Sequence, residues 1–239
     1  ALLYCTLMGG TDNDNAMEID VNAAGEAFVT GQTSSANFPV TAGCFQSARV
    51  SGYEVFVTRL NATGTNAIYS THLGNVNPDE AFGITVNKKD EAYVVGYTNS
   101  NAFPVTNPTY QANQAGFQDL FLSILNSSGN ALIASTYIGG TDLDYFYPSI
   151  VLDESNCAAD TIIMSGTSHS PDFPTTTGTY QPLKPNGGVG SDEPVVIKMY
   201  FPRDTVLANA GNDTTILIGT SATLTATGGV TYNWSPAEG

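Results

Sequence analysis

Basic residues are scarce in this chain: 7 Lys and Arg stand against 22 Asp and Glu, a formal net charge of −15 over 239 residues. Such a surface repels polyphosphates and anionic headgroups, which excludes nucleic acid as a partner and argues against insertion into or attachment to membranes. No run of about 18 apolar residues occurs, and no basic segment followed by an apolar stretch opens the chain, so neither a spanning helix nor a signal peptide is visible. A cleaved signal would leave no trace. Only 3 cysteines are present, Cys5, Cys44 and Cys157, which make neither an even disulfide framework nor a CxxC pair. The 2 histidines, His72 and His169, have no repeated carboxylate or cysteine near them in sequence, so metal and triad roles are not expected of them. Phosphate-binding glycine loops, serine elbows and zinc motifs are missing as well. Strong helix formers are few, whereas Thr, Val, Tyr, Phe, Asn and Gly abound, the mixture of twisted sheets and tight turns. The chain reads as all-β.

What is present is a repeat. ALLYCTLMGG at 1–10, NAIYSTHLGN at 66–75 and ALIASTYIGG at 131–140 are one pattern recurring every 65 residues. Phe38-Pro39 returns as Phe103-Pro104 and Phe173-Pro174, Phe45-Gln46 as Tyr110-Gln111 and Tyr180-Gln181, and Gly31 as Gly96 and Gly166. The third copy is longer, and its five extra residues are placed in the turn DESNCAAD, with further length in LKPNGGVGSDEP. Length changes confined to loops are expected of a stacked array.

Each copy reads as four strands. In the first they are AMEIDVN (16–22), EAFVTGQ (26–32), YEVFVTRLN (53–61) and NAIYSTHLG (66–74). The first strand alternates, with Met17, Ile19 and Val21 on one side and Glu18 and Asp20 on the other; the second and third are nearly continuously apolar, as in sheets covered on both faces. Four short antiparallel strands per unit, stacked about an axis, predict the blades of a β-propeller. The third copy shows no fourth strand, and residues 1–10 read as the fourth strand of a preceding blade, so the segments are 1–10, 11–75, 76–140 and 141–201. Three blades' worth of strands make an incomplete ring, because propellers use about four to eight blades. Two explanations are open: the chain is cut from a longer protein, or the fourth strand of one chain completes the third copy of another. Either way ALLYCTL is expected to be an unpaired edge.

The phrases STYIGGTDLD, GEAFVTGQTSSANFP, GCFQ and YEVFVTRLNATGTNAIYSTHLG resemble the bacterial SBBP (beta-propeller) repeat over residues 1 to about 201. The resemblance implies a secreted or surface protein and supplies no catalytic residues. From 202 to 239 the text changes to VLANAGNDTTILIGTSATLTATGGVTYNWSPAEG, which resembles the opening of a PKD or immunoglobulin-like module, with Trp234 as its core tryptophan. It is too short for a whole sandwich, which needs about 100 residues, so a partial Ig-like segment is expected, the alternative being that it adds strands to the blade edge.

Connections from the fourth strand to the next first strand, and from second to third, leave one end of the sheets. That end carries GGTDNDN, GNVNPDE, GGTDLDY and the loops of some twenty residues. Asp12 with Asp14, Asp79 with Glu80, and Asp142 with Asp144 could offer oxygens to Ca²⁺. The alternative is that these side chains shape the turns after Gly-Gly. Phe38, Phe103 and Phe173 are expected to plug the gap between units beside a φ-fixed proline, and Gln46, Gln111 and Gln181 to hydrogen-bond loop backbone.

The functional expectation is a non-catalytic scaffold, adhesin or assembly element outside the cell or on its surface. Its partner would be a protein or glycan surface ligand, or further copies of itself. A filament or shell subunit joined by strand exchange, and a propeller glycosidase or lyase using two facing carboxylates, are the alternatives.

Overall fold

A computed structural model describes residues 1–155, 159–184 and 191–202. The described residues contain no helix and form three antiparallel sheets. The first sheet is β1 (Asp14–Val21), β2 (Ala27–Thr33), β3 (Glu54–Leu60) and β4 (Ala67–Leu73), in that spatial order. The second repeats it as β5 (Asp79–Val86), β6 (Ala92–Thr98), β7 (Asp119–Leu125) and β8 (Leu132–Ile138). The third has three strands, β9 (Asp144–Asp153), β10 (Ala159–Ser168) and β11 (Glu193–Pro202). The expected strands of the first copy match these to within about two residues. Residues 1–10 join no sheet. The described sheets do not close into a ring. The segment from 203 onward, with Trp234, and Cys157 lie outside the described residues.

The sheets stack because their faces are apolar on both sides. Phe28, Val55 and Val57 of the first sheet meet Ala81, Ile84, Val94 and Phe121 of the second. The opposite face of the second sheet, with Tyr93, Val95, Leu120, Leu122 and Ile124, meets Ile162, Met164 and Ile150 of the third. Alternation along β7 is what makes this possible, since Phe121 points to one neighbour and Leu120 and Leu122 to the other. Phe103 and Phe173 of the Phe-Pro loops sit between neighbouring sheets, and Phe38 covers the outer face of the first sheet with Ala27, Val29 and Phe56. The Phe103 ring lies tilted 4.6 Å from Phe121 and edge-on 6.1 Å from Tyr137, and Phe38 stacks on Phe56 at 4.7 Å. All three, Phe38, Phe103 and Phe173, are buried. They act as plugs.

Each first strand carries a bulge opposite a glycine. The register shifts between Ala16 and Glu18 opposite Gly31, and between Ala81 and Gly83 opposite Gly96. A β-carbon on Gly31 would stand 1.9 Å from the carbonyl oxygen of Asn15, and one on Gly96 2.0 Å from that of Glu80. Only glycine admits so close a carbonyl. The third sheet corrects the expectation about extra length: Ile150 pairs Met164 where Ile84 pairs Val94, an offset of 66 against 70, so one of the five extra residues lies in the β9 bulge and four in the turn after β9. The first strands β1, β5 and β9 converge on a common groove of about 330 Å³, lined by Ile19, Asp20, Ile84, Thr85, Ile150 and Val151 among others.

The outer edges of the first two sheets are covered. The loop after β2 runs along β4, with Thr41 N–H donating to the Ser70 carbonyl (3.0 Å) and His72 N–H to that of Gln46 (3.0 Å). The loop after β6 does the same for β8 through Thr106 and Gln111. Such covering blunts an edge that would otherwise pair with another chain.

Two truncations test the stacking. Leu122→Ala, in the doubly covered centre, is expected to cost about 2–5 kcal/mol in urea unfolding, whereas Ile133→Ala, 47 % exposed on β8, should cost about 0.5 kcal/mol or less. Equal losses at the two positions would contradict the packing described.

Candidate functional site

The register puts the start of β1, the end of β2, the start of β3 and the end of β4 at one end of the sheet, where the long loops and acidic turns gather. Three of the six carboxylates singled out in the sequence occupy equivalent places there. Asp14, Asp79 and Asp144 open β1, β5 and β9, and each folds back on the turn before it: Asp14 accepts Gly10 N–H (2.6 Å), Asp79 accepts Asn75 N–H (2.8 Å) and Asp144 accepts Gly140 N–H (2.7 Å). Hydroxyls complete the shell. Asp14 takes Thr33 and Ser35, Asp79 takes Thr98, and Asp144 takes Ser170. The preceding glycine is required because the carboxylate lies on it; a methyl on Gly74 would stand 2.5 Å from Oδ2 of Asp79.

The other three are not brought together with them. Asp12 is exposed, and Asp142 has its Oδ2 3.1 Å from Nδ1 of His169. Both donate their N–H to a serine, Ser35 and Ser170. Glu80 hydrogen-bonds Tyr97, and burial pushes its carboxyl up. Among the described residues no three His, Cys, Asp or Glu side chains are grouped as a metal would need.

A second carboxylate series was not legible in the sequence. Glu54 and Asp119, fully buried at the starts of β3 and β7, accept the N–H groups of Val50 and Ser51 and of Ala115 and Gly116. Gln46 and Gln111 link them to the strand ends. Gln46 Nε2 donates to Glu54 (3.0 Å) while its Oε1 accepts Gly74 N–H (3.2 Å), and Gln111 does likewise with Asp119 (2.8 Å) and Gly139 (3.0 Å). The amides thus bond loop backbone as expected, except that Gln181 is exposed. The two series sit close: a β-carbon on Gly139 would lie 2.6 Å from Cγ of Asp119 and 2.8 Å from Oδ2 of Asp144. Burial pushes Asp79 up to about 7 and Asp119 up to about 6, with the neighbouring Glu54 and Asp144 adding to it. Burial lowers His72 to about 4, so this ring, 4.0 Å from Glu54, is neutral and makes no ion pair.

One feature of this end is not repeated. The enlarged β9 bulge turns Phe146 and Tyr147 to φ of 59° and 33°, values that bulky side chains rarely take. Tyr147 meets Phe82 edge-on at 5.0 Å, Phe82 stacks on Tyr97 at 5.4 Å, and Phe146 stacks on Tyr145 at 4.3 Å. Phe146 and Tyr147 are 45 % and 71 % exposed. Together with Glu80, whose partner is Tyr97, they make an aromatic surface with a carboxyl beside it at the loop end of the first strands. No spacing rule reveals this, because it arises where the repeat breaks.

At the opposite end a single cation ties two sheets. Arg59 pairs with Glu26 of its own sheet and Asp90 of the next, donates to the Ser127 carbonyl (2.9 Å) and lies 5.0 Å over the Phe28 ring. The equivalent positions hold Ile124 and Lys198.

Scans of the chain against protein-family models and against curated proteins give no match.

The buried carboxylates make stability depend on pH. An unfolded aspartate ionises near ~4, while Asp79 and Asp119 keep their protons up to about 7 and 6. Between those values the folded chain holds more protons than the unfolded one, so stability falls as pH rises from about 4 to 7. The urea midpoint should be higher at pH 5 than at pH 8, and Asp79→Asn should shrink the difference. A midpoint flat across this range, or rising with pH, would contradict the burial.

Proposed function

We propose that this chain is a non-catalytic scaffold of the extracellular space or cell surface, built of SBBP-type propeller blades and leading into a PKD or Ig-like module, which binds a surface glycan or protein at its loop end. Several features support the blade reading: four-stranded units at a spacing of 65, first strands gathered on one groove, and a phenylalanine plug in each unit.

The observation that carries the binding reading is the contrast between repeated and unrepeated chemistry. Asp14, Asp79, Asp144, Glu54 and Asp119 serve turn closure in every copy where they occur, which is architecture. The Phe146–Tyr147 bulge occurs once, holds two aromatic rings in unfavourable backbone conformations and leaves them exposed. Strain of this kind persists where the surroundings impose it, and binding sites are where it gathers. Flat rings beside a carboxyl suit a sugar, which offers C–H faces to the rings and hydroxyls to the carboxyl oxygens.

A glycan array probed with the full chain should give binding that falls at least ~10-fold, about 1.4 kcal/mol, in Tyr147→Ala with the urea midpoint little changed. Turnover of glycosides by the unmodified chain, lost in a carboxylate variant, would show an enzyme instead.

A further inference from the structure

The aromatic surface at the head of the third sheet is a row of rings. Tyr145 stacks on Phe146 at 4.3 Å, Phe146 lies tilted 5.9 Å from Tyr147, Tyr147 meets Phe82 edge-on at 5.0 Å, and Phe82 stacks on Tyr97 at 5.4 Å. Every ring belongs to β5, β6 or β9, so the second and third sheets build the row between them. Phe82, Tyr97 and Tyr145 are half-buried and form its base, while Phe146 and Tyr147 are exposed.

Carboxyls stand at both ends of the row. At one end Glu80 accepts the Tyr97 hydroxyl. The Tyr147 phenol acts on that of Tyr97 too, which gathers Tyr147 and Glu80 about the same group. At the other end the Tyr145 hydroxyl is 3.5 Å from Oδ1 of Asp192, and the charge of Asp142 acts on the same phenol. Asp142 has a partner in His169, but no ion pair among the described residues engages Glu80 or Asp192. The basic side chains are directed elsewhere. Arg49 donates to the Gly52 carbonyl, and Lys184, which approaches Asp192, donates to the carbonyls of Ser168 and Ser191. Lys88 and Lys89 lie in the turn between β5 and β6, at the opposite end of the sheet with Arg59, and Lys198 lies over Tyr200. Glu80 is therefore the unopposed charge beside the rings.

Ring faces carry the negative part of the aromatic quadrupole, so a cation laid over them is attracted. A neutral sugar gains only its C–H contacts there. An anionic one meets Glu80 and the field of a chain with net charge −15, which draws cations and repels anions. Burial pushes the Glu80 carboxyl up, and a cation bound beside it favours the ionised form.

We propose that the row selects an amine-bearing glycan, with the C–H face of a sugar packed on Phe146 and Tyr147 and the ammonium of a deacetylated amino sugar held between the ring faces and the Glu80 carboxylate. This rests on the glycan reading given under Proposed function and adds the sign of the charge. N-acetylation, which removes that charge, and a uronic acid, which reverses it, both disfavour binding.

The test is calorimetric titration of the full chain with β-1,4-linked tetrasaccharides that differ in charge: those of glucosamine, N-acetylglucosamine, glucose and glucuronate, at a pH that keeps the amine protonated. The glucosamine tetramer should bind at least ~10-fold more tightly than the glucose and N-acetylglucosamine tetramers, with glucuronate weakest. Tyr147→Ala should weaken all of them. Glu80→Gln, which removes the charge and keeps the shape, should bring the glucosamine and glucose tetramers to within ~3-fold of each other. Added salt should weaken the glucosamine tetramer alone of the three expected to bind, since screening acts on the charged pair. Glucose and glucosamine tetramers that bind equally, and are both lost in Tyr147→Ala, would overturn charge selection and leave the glycan reading standing. So would a preference for glucuronate, or a preference for glucosamine that Glu80→Gln does not change. If none of the tetramers binds, the glycan reading falls together with this one, whether or not a lysine-rich peptide is captured through Tyr147.

Discussion

The second sheet is apolar on both faces, and a sheet of that kind cannot stand alone in water. Val94 and Phe121 point to the first sheet while Val95, Leu120 and Leu122 point to the third, each almost without exposed surface. Burial of this sort contributes about 1.5–3 kcal/mol for each large side chain, so the faces hold the sheets together, and polar bonds between neighbouring sheets, such as Thr85 and Val86 to Asp20 and Tyr93 and Asn87 to Asp160, fix how they sit. The rest follows from that need. Strands must be short and alike for faces to match, loops must pass to the ends, and gaps near the loop end must be plugged, which the phenylalanines before proline do.

Polar chemistry is arranged around the same stack. Strand ends that leave a crowded core must reverse within a few residues and still satisfy their N–H groups. The chain does this with carboxylates, the half-buried Asp14 and the buried Asp79 and Asp144 on one turn and the buried Glu54 and Asp119 on the other, with Gln46 and Gln111 between them. These acids lie beside one another, and burial raises the pKa values of Asp79 and Asp119. They fix turns at a cost that grows as pH rises. The exception at the far end is Arg59, where a single guanidinium serves two sheets.

Much of this was legible in the sequence because the repeat gives several readings of each position. Strand limits, the phenylalanine plugs, the amides of Gln46 and Gln111 and the end on which loops collect all follow from aligned copies. What the alignment hid has physical reasons. Spacing reports only total length between landmarks, so an extra residue in the β9 bulge looks the same as one in the turn after it. Glu54 and Asp119 differ in side-chain length and so do not announce a shared role, although both reach N–H groups three and four residues earlier. Arg59 is matched by Ile124 in the second copy and Lys198 in the third, so the alignment does not announce its role. The aromatic surface at Phe146 and Tyr147 depends on positive φ angles, which composition does not encode.

Native-state hydrogen exchange tests the stacking account most directly, since it orders the strands by how much must open to free their amides. The account predicts that the slowest amides lie in β6 and β7, at Val94, Val95, Phe121 and Leu122, exchanging only through global unfolding. Slowest exchange in β1 or β9, with β6 and β7 opening early, would contradict it.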